Sequence, residues 1–399
     1  MEREAVRAGE RIPGWLPILL GVLQAVGPIS TDMYLPAFPA ISAGLQAPAG
    51  AVQLTLATWI LGLSVGQLVM GTLSDRFGRR APLLAGTTIY AIASAGCALS
   101  GSIAILACWR FVAAIGASAS MIVPRAVVRD ISEGHASAHL MSRLILILGA
   151  APILAPSLGG LVLLIGDWRM IFWIMSAYGA VGLGLSAVLL PDTLPAPARV
   201  RLSAAGVMAR YRAVLVERRF ITHALMISSA SFALFAYLAG SPTAFITQYG
   251  LGPSAYAVVF GVVAAGYILG SQLNMRLVRR IGLNGTLTLT SWFYLGLNVL
   301  VVALAASGLG GFLALAAALT AAQAMVGFIS PTATVGALAH HAAHAGSASA
   351  VLGTLQFLIG ASSGFLIVGI TNGTAMPMAL LMLTGAVCAK LADLCRPAA

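Results

Sequence analysis

Two charged residues stand where hydrocarbon should exclude them, and they are the strongest candidates for chemistry in this chain. Asp32 lies in the first apolar segment and Arg110 in the fourth. A charged side chain near the middle of a membrane helix costs on the order of 3 kcal/mol to insert, so each is expected to face an aqueous cleft or a partner. A carboxyl in such a place can take up and release a proton. Burial and a neighbouring guanidinium act on its proton affinity in opposite directions, so a small movement or an arriving substrate changes the balance. Asp32 is expected close to the outer end of a segment running outward. Arg110 is expected about two turns into a segment running inward. At that similar depth they are candidate neighbours across one cavity.

A second constellation is the stretch Gly71-Thr72-Leu73-Ser74-Asp75-Arg76-Phe77-Gly78-Arg79-Arg80, which packs three arginines and one aspartate between two apolar segments. Such a loop cannot lie in hydrocarbon, and its cationic excess predicts the cytoplasmic side of a membrane. Asp75 is expected to end a helix and meet donors at a neighbouring helix terminus. The arginines can pair with acids such as Asp130 or Glu133. Contacts of this kind hold one face shut in one state and break in another.

The elements that must position these groups are membrane helices. Of 399 residues, 59% are hydrophobic and 8% are charged, against roughly 25% charged in soluble domains. The net charge of +11 is spread over short loops, which points to membrane orientation and away from nucleic acid. With about 20 apolar residues per span, twelve spans are expected, near 15–36, 51–70, 81–100, 103–124, 140–165, 171–190, 220–239, 255–274, 286–306, 311–332, 347–370 and 377–394. Among the 22 Lys and Arg, only Arg169 is assigned to an outer loop and only Arg110 to a span interior. Both termini are therefore expected in the cytoplasm. An arginine-rich connection at 191–219 separates a first six-helix bundle (1–190) from a second (220–399). The halves look weakly repeated, since Gly270 to Gly282 stands where Gly71 to Arg80 does, and Pro331 and Tyr237 echo Pro124 and Tyr34. Such duplication is common in secondary transporters.

The loop pattern G-x-L-x-D-R-x-G-R-R resembles the signature between spans two and three of the major facilitator superfamily. Ser30-Thr31-Asp32-Met33-Tyr34-Leu35-Pro36-Ala37-Phe38-Pro39 resembles the end of span one in the Bcr/CflA drug:proton antiporters. Gln53 to Gly62 followed by Gly66-Gln67, Arg129-Asp130, Asp167-Trp168-Arg169 and Gly346 to Ala350 fit as well. The resemblance implies an all-α membrane protein in two six-helix bundles that exports bicyclomycin-, phenicol- or sulfonamide-like compounds in exchange for protons. It implies proton work for Asp32, and a conformational lock formed by Gly71, Asp75, Arg76, Gly78, Arg79 and Arg80. Arg110 to Ala117 is similar to the family's span-four motif, with Ala113 and Ala114 where Gln-Gly is usual. In span five, Pro152, Pro156, Gly159 and Gly160 match an antiporter motif, with Ala155 in place of glycine. Proline and small residues there suit a pliable hinge between closely packed helices. Gln24 stands where some related exporters carry a second membrane acid.

A drug cavity needs apolar and aromatic walls with a few polar groups; Tyr34, Trp59, Met121, Phe235, Tyr237, Gln323 and Gln356 are the candidates. Gly62 with Gly66, and Gly360 with Gly364, suit close-packing faces. The four cysteines lack CxxC spacing, and His340, His341 and His344 are expected in a solvated loop, so neither metal nor cofactor is expected beyond the proton gradient. The expected partners are a small-molecule drug, protons and the bilayer, with no nucleic acid, and the chain is expected to act as a monomer in the bacterial inner membrane. The alternatives are a proton-coupled metabolite importer of the same fold, a passive channel and a polytopic membrane enzyme. No catalytic constellation supports the last of these.

Overall fold

A computed structural model describes residues 13–48, 50–131, 134–194, 204–339 and 345–397. Every regular element among them is helical. Among the described residues ten helices are long and apolar enough to cross a membrane. One of these, Pro253–Ser307, holds two spans that meet at Gly282, where φ 75° and ψ 172° break the helix. Gly134–Ile165 supplies the remaining span, so the twelve-helix expectation is met. The others are Leu16–Gly44, Ala51–Phe77, Arg80–Ala98, Ile103–Ile131, Trp168–Leu189, Arg218–Gln248, Gly311–Leu338, Ala345–Ile370 and Met376–Leu394. They are numbered here in chain order as spans 1 to 12. Between the halves the connection at 191–219 holds a further helix, Ala204–Val216, which its composition does not announce.

The duplication is visible in backbone geometry. Gly78, between spans 2 and 3, has φ 89° and ψ 173°, nearly the values at Gly282 between spans 8 and 9. A left-handed φ of this kind suits glycine, and it allows two antiparallel helices to meet with no longer loop. The halves pack along two seams, span 2 on span 11 and span 5 on span 8. At the first seam Ser64 Oγ donates to the Thr354 carbonyl at 3.2 Å, and a side chain on Gly364 would meet Ala57 Cβ at 2.9 Å. Toward the end of span 2 remote from the arginine loop, Gln53 Nε2 donates to Thr243 Oγ1 of span 7 at 3.1 Å. Small residues permit these approaches because helices in lipid associate by van der Waals packing. Gly62 and Gly66 face span 4, against Phe111 and Ser118, while Gly360 faces Phe235 of span 7.

Candidate transport site

Span 1 is a chain of short helical pieces. Helices Leu16–Gln24 and Val26–Asp32 are followed by a 3₁₀ turn, Leu35–Ala37, and by Phe38–Gly44. The sequence reading ended this span at Pro36, but Pro36 and Pro39 fall at starts of new helical pieces, where a missing N–H costs little. Asp32 therefore lies in the middle of Leu16–Gly44, where the helix breaks, and not near the end of its span. It is 5% exposed.

Arg110 is not its partner. Among the described residues Asp32 forms no ion pair, and Arg110 is enclosed by aromatic rings. The guanidinium carbon lies 4.2 Å from the centroid of Tyr34, 4.3 Å from Trp59 and 5.9 Å from Phe172. Desolvated cation–π contacts are worth about 2 kcal/mol each, which offsets part of the cost of burying the charge. Tyr34 and Trp59 are thus walls of the arginine's box, both fully buried, and not cavity lining as the sequence suggested. Trp59 Nε1 also donates to Thr31 Oγ1 at 3.1 Å, so the box is tied to the residue before Asp32. Arg110 Nε and Nη2 have no acceptor.

Near Asp32 lie instead two buried hydroxyls of the second half, those of Tyr237 in span 7 and Tyr256 in span 8. Tyr256 exchanges a 2.8 Å hydrogen bond with Ser241, while Tyr237, stacked on Phe260, is left without a full one. Gln323 of span 10 is 1% exposed and neither end of its amide is paired. Buried polar groups of this kind are the ones a polar substrate or water would engage. Phe235 packs against Phe357 of span 11 with centroids 5.9 Å apart. Met121 and Gln356 are part-exposed, and Met121 rests on Gly27 of span 1.

The proline-rich segment of span 5 meets this centre directly. The helix runs unbroken through Pro152 and Pro156. A side chain on Gly159 would collide with the Met33 backbone carbonyl, one residue beyond Asp32, and Gly160 lies against the Pro253 carbonyl at the start of span 8. Spans 1, 5 and 8 therefore converge on this glycine pair. Gly159→Ala is expected to cost about 1–3 kcal/mol through overpacking and to depress transport. Gly184→Ala, where a Cβ meets nothing within 4 Å, is expected to leave the thermal midpoint unchanged. Melting of the two purified variants distinguishes the outcomes.

At the arginine loop the network lies within one half. Arg79 donates through Nε to Asp130 at 2.7 Å, and through Nη1 to Asp75 at 2.6 Å and Ser74 at 3.1 Å. Its backbone N–H donates to Asp192 at 2.8 Å, whose carboxylate also fills the space beside Gly78. Arg80 reaches the Ala187 carbonyl of span 6. Asp75, in the last turn of span 2, thus pairs with Arg79, the residue at the start of span 3; Glu133 and the histidine cluster lie outside the described residues. Arg76 is exposed and stacks only on Phe77, and Gly71 has open space around it. The second half repeats the device with residues absent from the arginine-loop motif. Asp393 binds Lys390 at 2.7 Å and Ser291 at 2.9 Å, and Arg396 links Asp393 to Asn284 beside Gly282. A Lys and an Asp three residues apart inside span 12 were the available signal.

Known proteins fit this architecture. Residues 20–365 match the Major Facilitator Superfamily. An uncharacterized MFS-type transporter of Bacillus subtilis is 34% identical over 94% of both chains. A bicyclomycin resistance protein homolog of Haemophilus influenzae is 28% identical over 92% of both. A chloramphenicol resistance protein of Pseudomonas aeruginosa is 28% identical over 92% of this chain and 87% of its own. The crystal structure of the nucleoside transporter NupG superposes with a TM-score of 0.76 at 11% identity, covering 95% of this chain and 99% of that one, a likeness of fold alone. The paired six-span halves, the arginine loop with its glycine turn and these matches together place the chain in the Major Facilitator Superfamily.

Proposed function

We propose that this protein exports small amphipathic antimicrobial compounds across the bacterial inner membrane in exchange for protons, by alternating access between its two halves. The observation that carries the reading is Asp32, buried in mid-span with no counter-ion among the described residues and set where spans 1, 5, 7 and 8 meet. The names of the bicyclomycin- and chloramphenicol-resistance relatives support the substrate class. The antiporter-like glycine pair against Met33 favours exchange over symport. Both termini lie in the cytoplasm, the chain works as a monomer, and the proton gradient is its energy source. One charge crossing 100 mV releases about 2.3 kcal/mol, enough for a concentration ratio of a few tens at roughly 1.4 kcal/mol per decade.

In this structure hydrogen bonds join the halves at Gln53–Thr243 and Ser64–Thr354, while none from the Gly71–Arg80 loop reaches the second half among the described residues. In the alternate state Asp75 leaves Arg79 and braces the loop against the second half. Its side chain is 51% exposed, so its ion pair contributes at most about 1 kcal/mol. Asp75→Asn is therefore expected to fold normally and bind drug, but to turn over several-fold more slowly. Unchanged turnover in reconstituted vesicles would reduce the loop to a topology signal.

The test of the function is a panel of bicyclomycin, phenicols and sulfonamides applied to inverted vesicles energised by respiration, with a pH-sensitive dye. Proton efflux from the vesicle lumen on adding a substrate is the expected result. Proton movement only with sugars or organic acids would favour an importer.

A further inference from the structure

We propose that Arg125, held by Gln24, selects for substrates that carry a negative or strongly electronegative group and against cations. The inference rests on the efflux reading and names the charge class of its substrate. Arg125 is exposed, yet it does not face lipid. At 100° per residue, it lies roughly 160° around span 4 from Ile105 and roughly 140° from Val112, the large apolar residues this helix exposes. It lies one turn beyond Met121, which packs on span 1. Its exposure is therefore to the interior of the protein, on the side that also carries Arg110.

Gln24 of span 1 is 1% exposed. With its amide oxygen turned toward the arginine, it accepts from Arg125 Nη2 at 2.9 Å and from Nε. A carboxamide orients a guanidinium but does not neutralise it, and among the described residues no acid pairs with Arg125. Arg125 keeps donors available in a forked geometry that matches carboxylate, sulfonyl or nitro oxygens. The other buried membrane acid, Asp393, is consumed by Lys390 and Arg396. Arg125 lies fifteen residues, about 22 Å, along span 4 from the boxed Arg110, and no acid among the described residues offsets its charge. A cationic drug at this position meets a bare positive charge, and like charges in a low dielectric repel strongly.

Three probes test this with purified full-length protein: sulfacetamide, an anion at neutral pH; sulfanilamide, its neutral relative; and tetraphenylphosphonium, a permanent cation. Equilibrium binding is measured by calorimetry and transport in proteoliposomes. The expected order of affinity is anion, neutral compound, cation. Arg125→Gln should lower the anion-to-neutral affinity ratio about tenfold, the scale of one charge-assisted hydrogen bond, and Arg125→Lys should restore part of it. Gln24→Glu, which leaves Arg125 in place, should lower the same ratio and improve tetraphenylphosphonium binding. A wild type indifferent to charge, or variants that weaken all three probes equally, overturns the proposal and leaves efflux standing. A wild type that binds none of them overturns both.

Discussion

Asp32→Asn is expected to abolish proton-driven efflux while the protein still inserts, folds and binds drug. Asparagine keeps the size of the side chain and its hydrogen-bonding capacity, but it cannot carry a proton through the cycle. The site makes this substitution mild structurally, because Asp32 forms no ion pair that would be left half-made. Arg110 has its own aromatic enclosure and does not depend on the carboxylate. Removing an unpaired buried charge also relieves a desolvation cost, so the thermal midpoint should be equal to or above that of wild type. The measurement is paired: drug-induced proton movement in inverted vesicles, which should vanish, and equilibrium drug binding, which should change less than tenfold. Wild-type proton movement in this variant removes Asp32 from the mechanism.

Arg79→Gln is expected to have the largest effect on stability. The Arg79 side chain is 4% exposed and holds Asp130, whose side chain is 12% exposed, together with Asp75 and Ser74. Taking one partner from a buried ion pair strands the other, at about 3–5 kcal/mol. The loss would fall where spans 2, 3, 4 and 6 are joined, since Thr193 also bonds Asp130 and Asp192 receives the Arg79 backbone N–H. Lysine at 79 should recover only part, because an ammonium cannot fork across Asp130 and Asp75 together. Arg76→Gln, three residues earlier in the motif but exposed on the surface, should shift stability by less than about 0.5 kcal/mol. Thermal unfolding in detergent separates these outcomes. An Arg79→Gln protein that melts with wild type would show that the network is not what joins the four helices.

Much of this architecture was readable along the chain. Apolar runs long enough to span, and arginines gathered at alternate junctions, are local properties that add up residue by residue. Gly270 to Gly282 was readable as the counterpart of Gly71 to Arg80, while the shared left-handed turn at Gly78 and Gly282 came only with the fold. Asp130 was a foreseeable partner of the loop, since both lie at the same predicted face. The depth of Asp32 was not readable. Pro36 and Pro39 resemble the end of a helix, whereas in the fold each begins a new helical piece and the span continues to Gly44.

What the amino-acid order determined by itself was the membrane environment, the helical spans, the basic face and the two-part plan, because hydrophobicity and charge act through composition over short windows. What only the tertiary structure decided was which group answers which charge. Arg110 met Tyr34, Trp59 and Phe172 and not Asp32, and Asp75 met Arg79 at the start of span 3. Electrostatic and cation–π contacts act over a few ångströms, and a rotation of one helix about its axis exchanges one partner for another without altering the hydrophobic pattern that placed it in the membrane.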